Sequence, residues 1–428
     1  MGVVCTVGNS STADYIVVGR GTSGPVVANH LSENASVSVL VLKSGPDQTT
    51  DPCITDPMAW PSLSGSDLNW QFTIVSQKGL NRRCQEHPAG HVLGGSSAIN
   101  GLALRSFNGP GPIRSSSPAL AQEGNQPLIQ AWNADFSDQA YAYTSELVVE
   151  NPAVGTRPYS ATIDPECARR SSADLVHANQ EVVLAAGVFQ TPKLLELSGV
   201  GDPAVLAAHN IPVVIGNPGV GANLQNHLMA ILSSPLSRIP ETRDLNPGLQ
   251  ALAFVRLDDQ EDLRLLDQFL SSDRSAASGR AQAIGSILAN PNEALACVFL
   301  GKMPGPVALI VLIPLLSAAL QRLPIAPSLR KFFDRNAAPT EASLKNTKAA
   351  LREAALTTHH ACGSAAKLPL EKGGVVDTTL TVYGTTNLRV VDAIIFPLMS
   401  HAKPDGNGVR GGRASRRHSQ GLVVLTTM

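Results

Sequence analysis

Three clusters in this chain have residue types and spacings that could do chemistry. They are the glycine turn Gly19-Arg20-Gly21-Thr22-Ser23-Gly24, the run Gly94-Gly95-Ser96-Ser97, and the histidine pair His359-His360. Glycines at the first, third and sixth places of a turn let the backbone bend sharply, approach a pyrophosphate and seat a helix closely behind it. The N–H groups and partial positive charge at the start of such a helix favour phosphate. An imidazole, with an ordinary pKa of about 6.5, is neutral and basic at pH 7 and can take the proton of a hydroxyl. By spacing alone, a His-His pair reads more readily as structural. About 20 residues past the turn, where an Asp or Glu normally accepts from the adenosine ribose, stands Lys43. Lysine only donates. A cation there fits a 2′-phosphate, so NADP stays open on this evidence.

The elements that must position these residues follow from the apolar pattern. Tyr15 to Val18 is a short β-branched run, Val26, Val27, Ala28 and Leu31 mark a helix, and Val37 to Leu42 is a second strand; together they make a βαβ unit around the turn. Trp60 and Trp70 anchor the turn-rich stretch 48–85. In 88–106, Gly94 and Gly95 followed by Ser96 predict a backbone that passes close to something and then enters a capped helix. Short strands are expected at Ser145 to Val149, Ser160 to Ile163 and Asp174 to Ala178, and another from Glu181 to Ala186. Thr191-Pro192 begins a helix that Gly199 ends, Pro203 to His209 is a second helix, and Val213 to Ile215 a strand. Gly219 to His227 is a further glycine turn feeding polar residues. Leu388 to Val391 reads as a buried strand with Asp392 and Ala393 at its carboxyl end, where open α/β sheets meet ligands.

Composition narrows the class. The 428 residues are 43% hydrophobic and 4% aromatic with a formal charge of −1, enough for two cores and without the basic excess that nucleic-acid binding draws on. Six cysteines lack metal spacing and are expected to be mostly buried thiols, with no metal site. Val307 to Leu320 is the most apolar run, but Pro314 interrupts it and it is too short for a bilayer core of about 30 Å. A buried helix or strand pair is expected there, with no membrane span. The start lacks a signal-peptide pattern, so an intracellular chain is expected.

Two longer blocks add specificity: Gly90-x-x-Leu93-Gly94-Gly95-Ser96-Ser97-x-Ile99-Asn100, and Gly187-x-x-x-Thr191-Pro192-x-Leu194-Leu195-x-x-Ser198-Gly199-Val200-Gly201. With them the chain resembles the glucose–methanol–choline (GMC) oxidoreductases, and within these the aryl-alcohol-oxidase-like members of fungal secondary metabolism. The resemblance implies an α/β fold: a Rossmann-like FAD-binding domain over 13–229 with a shortened middle, a smaller α+β substrate domain over 230–356, a return to the first domain over 357–403, and an atypical tail over 404–428. It implies FAD rather than NADP, held by Gly19, Gly21, Thr22, Ser23, Gly24, Lys43, Ser44, Gly94, Gly95, Ser96, Asn100, Gly101, Leu102, Ala103, Asp392 and Ala393. The substrate it implies is a small-molecule alcohol, aromatic or polyketide in kind. His360, opening the block His360-Ala361-Cys362-Gly363-Ser364-Ala365, falls where the family places its catalytic base. Lys403 stands at the second catalytic place, and His401, two residues earlier, is the expected substitute.

Departures from the family pattern are Lys43, His91, Asn226 in place of an Asp before His227, the short segment 104–143, and the tail. Lys43 and the tail imply a weakly held, exchangeable flavin. They keep open a second reading, a non-redox or degenerate relative with impaired FAD binding.

Overall fold

In a computed structural model, the structure describes residues 11–56, 59–100, 103–104, 115–116, 127, 130–131, 140–144, 148–150, 176–243, 245, 248–255, 286, 296–302, 307–314, 353 and 355–399. The first βαβ unit forms as its pattern demands: β1 (Ser11–Val18), α1 (Gly24–Leu31) and β2 (Val39–Leu42). Helix α1 has no side-chain cap and carries Pro25 in its first turn, so burial of Val26, Val27, Ala28 and Leu31 must hold it. A hairpin follows, β3 (Phe72–Gln77) and β4 (Arg83–His87), leading directly into the Gly90 block. Later come β5 (Ala140–Thr144), β6 (Val176–Leu184), α2 (Gln190–Leu197), α3 (Pro203–Ala208), β7 (Leu228–Pro235), β8 (Gly248–Val255), β9 (Ala296–Lys302), β10 (Val307–Pro314), β11 (Leu356–Thr357) and β12 (Leu388–Val390).

Two sheets organise all of these strands except the β3–β4 hairpin. The first is parallel throughout, in the order β12-β6-β1-β2. Val17 of β1, Val183 of β6 and Val390 of β12 are fully buried with Leu195 of α2 and Ile394 in one apolar cluster. The β12–β6 pairing is fastened by Arg389, whose Nε and Nη2 donate to the two carboxylate oxygens of Glu181 at 2.7 and 2.8 Å. Such a forked pair is directional as well as attractive. The second sheet is antiparallel, in the order β11-β7-β10-β9-β8-β5.

Several expectations shift at element level. The described part of the apolar run, Val307–Pro314, is one strand, β10, paired along its two edges with β7 and β9. Residues expected to form two strands near 174–186 form the single strand β6, with a bulge against β1 near Ala13. The strand expected at Val213 is the two-residue Ile215–Gly216. Near Ser145, strands lie instead at Ala140–Thr144 and Val148–Glu150. Of the cysteines, Cys297 and Cys362 are buried, but Cys53 and Cys84 are exposed, contrary to expectation; Cys5 and Cys167 lie outside the described residues. Among the described residues no helix is long and apolar enough to cross a membrane.

Candidate functional site

Four loops meet at the carboxyl edge of the parallel sheet. The turn after β1 is pinned by Gly19 N–H to the Leu42 carbonyl (2.9 Å), and Ala185 N–H reaches back to Val18 (2.7 Å). Gly19 has φ +112°, and a Cβ there would sit 2.2 Å from the Ala185 oxygen; a Cβ on Gly24 would sit 1.9 Å from the Gly19 oxygen. Neither position can carry a side chain. The Gly90 block folds onto this turn: Gly94 N–H donates to the Arg20 carbonyl at 3.0 Å, and a Cβ on Gly95 would lie 2.7 Å from the Gly21 Cα. After Gly94, in left-handed conformation, the chain makes a 3-10 turn, Gly95–Ala98, in place of the expected capped helix. The Ser97 hydroxyl donates to the Gly94 carbonyl (2.7 Å), which holds this turn closed.

The other side of the edge is tied by Asp392. Its carboxylate accepts from Gly187 N–H (2.9 Å), the Thr191 hydroxyl (3.3 Å) and Ile394 N–H (3.0 Å). Burial pushes its pKa up to about 6, against the hydrogen bonds from Ile394, Gly187 and Thr191, which favour the anion. Asp392 thus joins the second sequence block to the last. Gly187 itself has φ +87° and open space where a side chain would stand.

At the far end, Lys43 follows β2 and donates to the Ser44 carbonyl (2.6 Å). Burial and the nearby Arg20 guanidinium push its pKa down to about 8. Arg20 is itself buried, with Asp47 as an opposing charge. The Ser44 hydroxyl meets His91 Nε2 at 3.0 Å, and His91 packs on Trp70 with ring centroids 4.1 Å apart. His91 therefore braces the Lys43 loop. The bare glycine turns fit a pyrophosphate and the two halves of a flavin dinucleotide, whereas the ribose end offers a donor where an acceptor is usual.

His360 stands where the last block leaves the antiparallel sheet. Thr357 pairs with Leu228, and Gln225 pairs with Cys362, so four residues on one strand face two on the other. This bulge is absorbed at His359, which has φ +62°. The sequence predicts that neighbours on an extended chain point oppositely; the rings do part, but through the left-handed residue rather than by strand alternation. His360 Nδ1 lies 3.3 Å from His227 Nδ1. His359 instead meets the edge of His87 at 5.7 Å. Beyond His360 the chain runs beside the cofactor edge: Ala365 N–H donates to Ile394, and the Ser364 hydroxyl to the Val188 carbonyl.

Of the residues singled out by sequence, the structure brings Gly19, Gly21, Thr22, Ser23, Gly24, Lys43, Ser44, Gly94, Gly95, Ser96, Asp392 and Ala393 to the four loops of this edge. Ser23 helps through its carbonyl, which accepts from Val26 and Val27 N–H. Asn100 follows the 3-10 turn. Gly101, Leu102, His401 and Lys403 lie outside the described residues, as does the side chain of Ala103. Sequence reasoning missed Arg20 as a buried cation, His227 as the partner of His360, and His87. His87 is 3% exposed, its ring packs edge-on against Phe189, and neither ring nitrogen has a hydrogen-bond partner among the described residues. Its pKa is pushed down to about 4 by burial and by His359, with the backbone of Pro88 and His87 opposing. Alternation along β4 was the available signal, since His87 and Gln85 point inward together.

A parallel sheet with glycine turns at its carboxyl edge, joined to an antiparallel sheet that delivers a histidine beside that edge, defines a dinucleotide-dependent oxidoreductase architecture. Family models described as GMC oxidoreductase match residues 131–229 and 272–407, and the chain belongs to that family. Its relatives include the GMC oxidoreductase family protein Mala s 12 of Malassezia sympodialis, 24% identical over 90% of this chain and 88% of that protein. Another is an oxygen-dependent choline dehydrogenase of Pseudomonas aeruginosa, 29% identical over 55% of this chain and 57% of that protein. Among solved structures, an FAD-dependent oxidoreductase from Chaetomium thermophilum shares the fold with TM-score 0.78 and 20% identity, covering 96% of this chain and 100% of that one. A fungal aryl-alcohol oxidase does so with TM-score 0.70 and 18% identity, covering 94% and 98%. Family membership indicates FAD as the cofactor.

Proposed function

We propose that this protein oxidises an alcohol of a small organic molecule to a carbonyl, with His360 taking the hydroxyl proton. FAD supplies the hydride acceptor. The turns at Gly19 to Gly24 and Gly94 to Ser96 would hold its phosphates and flavin half, with Asp392 and Ala393 alongside. The observation that carries this reading is the placing of His360 on a bulged joint whose continuation is bonded to Val188 and Ile394 at the cofactor edge. The relative named as a choline dehydrogenase and the fold neighbour named as an aryl-alcohol oxidase support an alcohol as substrate. His401 is proposed as the second group on the substrate hydroxyl.

One observation favours the other reading, a scaffold that holds FAD weakly: Lys43 donates where the ribose needs an acceptor. A single experiment separates the two. The purified protein is scanned for flavin absorbance, heat-released FAD is quantified, and anaerobic flavin reduction is followed with primary alcohols, benzyl alcohol first. The proposal expects near-stoichiometric FAD reduced by at least one alcohol. His360→Ala should keep the flavin and lose about 10²- to 10⁴-fold in turnover. Colourless protein that stays empty when FAD is added establishes the weak-binding scaffold; His401→Ala with full turnover removes His401 from the mechanism.

A further inference from the structure

His227 and His360 come from segments 133 residues apart, yet their Nδ1 atoms lie 3.3 Å from each other with the rings nearly perpendicular, at 86°. His227 is 5% exposed. At that separation one nitrogen must carry the hydrogen and the other the lone pair. If His227 donates, the remaining proton of neutral His360 sits on Nε2, and the ring has no lone pair left with which to act as a base. If His360 donates from Nδ1, its Nε2 carries the lone pair. Only this second arrangement also serves protonated His360, whose Nδ1–H keeps the same acceptor without either ring turning.

The joint around the pair is built to hold both rings. Asn226 Oδ1 accepts from His360 N–H (3.0 Å) and from the Thr358 hydroxyl (3.3 Å), while Asn226 Nδ2 donates to the Thr357 hydroxyl. Thr358 closes the circuit: its N–H donates to the His227 carbonyl at 3.1 Å, and its hydroxyl shares its single hydrogen between that carbonyl (3.0 Å) and Asn226 Oδ1. An Asp at 226 could accept from His360 N–H and from the Thr357 hydroxyl, so either residue completes this joint.

We propose that His227 is the positioning residue for His360, accepting from its Nδ1–H and so presenting Nε2 as the base. This rests on the reading of His360 as the base of the reaction. The proton from the hydroxyl would pass to His360 Nε2, and the Nδ1–H would stay with its His227 acceptor.

The test uses the full chain as purified, with ¹⁵N-labelled histidine and long-range ¹H–¹⁵N spectra assigned with the His360→Gln and His227→Asn variants. In the wild type, neutral His360 should show a protonated Nδ1 and a bare Nε2. His227→Asn places an amide oxygen near the lost Nδ1 and should preserve that pattern. His227→Leu should let the Nε2–H form appear and lower kcat on benzyl alcohol by about 10- to 100-fold, with KM and bound flavin unchanged. A wild-type His360 protonated on Nε2 overturns the proposal, and so does an unchanged tautomer in His227→Leu. Should the Leu variant fail to fold, the wild-type and Asn spectra still decide. The expected tautomer in a protein that turns over no alcohol upholds the His227 assignment and counts against the alcohol-oxidation reading alone.

Discussion

The cofactor edge and the histidine joint are built from opposite materials. At the edge, backbone meets backbone: Gly94 bonds the Arg20 carbonyl, Gly19 bonds Leu42, and a Cβ on Gly95 would run into the Gly21 backbone. At the joint the specificity sits in Asn226, Thr357, Thr358 and two imidazoles, hung on a bulge that no glycine requires before Gly363. The edge excludes a Cβ at Gly19, Gly24 and Gly95, whereas the joint depends on which side chains it carries.

That contrast can be broken at three points. The largest effect should come from Gly24→Ala, whose Cβ meets the Gly19 oxygen at 1.9 Å. We expect loss of more than about 4 kcal/mol of stability, measured by urea unfolding, or no folded protein. A fully stable Gly24→Ala protein would mean the edge is not held by backbone contact.

His87→Phe tests the buried wall beside the joint. The folded pKa of His87, about 4, lies below its ordinary value, so the unfolded chain takes up the proton first as pH falls. Stability is therefore lost on acidification from about pH 6.5 to pH 4, by about 3 kcal/mol in all. With Phe at 87 this part of the acid sensitivity should vanish from urea midpoints measured across that window. Persistence of the full slope would place the acid sensitivity elsewhere.

The smallest change concerns the ribose end. Lys43→Glu restores an acceptor beside Arg20 and should tighten FAD about 5- to 100-fold, read by titrating apo protein with FAD. No gain would show that the side chain at 43 does not reach the ribose, and that the edge binds by backbone alone.

The two regions also differ in how well the sequence revealed them. The βαβ unit was legible because its glycines, its β-branched runs and the helix face of Val26 to Leu31 are all local signals. Asp392 was legible as an edge residue, but the reach of its carboxylate to Gly187 and Thr191 was not, since nothing local links positions 205 residues apart. His360 was visible only through its block. Its partner His227 depends on strand register and on a bulge of four residues facing two, and neither leaves a periodic trace. Lys43 was conspicuous as an exception, yet the neighbouring buried Arg20 was hidden inside a motif defined by its glycines.

The Arg389–Glu181 fork spans 208 residues of chain, and β12 is the last strand to join the parallel sheet. During synthesis, the strands of the antiparallel sheet are all made before that outer strand and Asp392 emerge. The local βαβ unit can form early, but the edge must wait with Gly187 and Thr191 untied until Asp392 is made. Completion of the cofactor site thus waits on residues 388–392, so a ribosome stalled anywhere before residue 388 holds a nascent chain whose cofactor edge is unfinished.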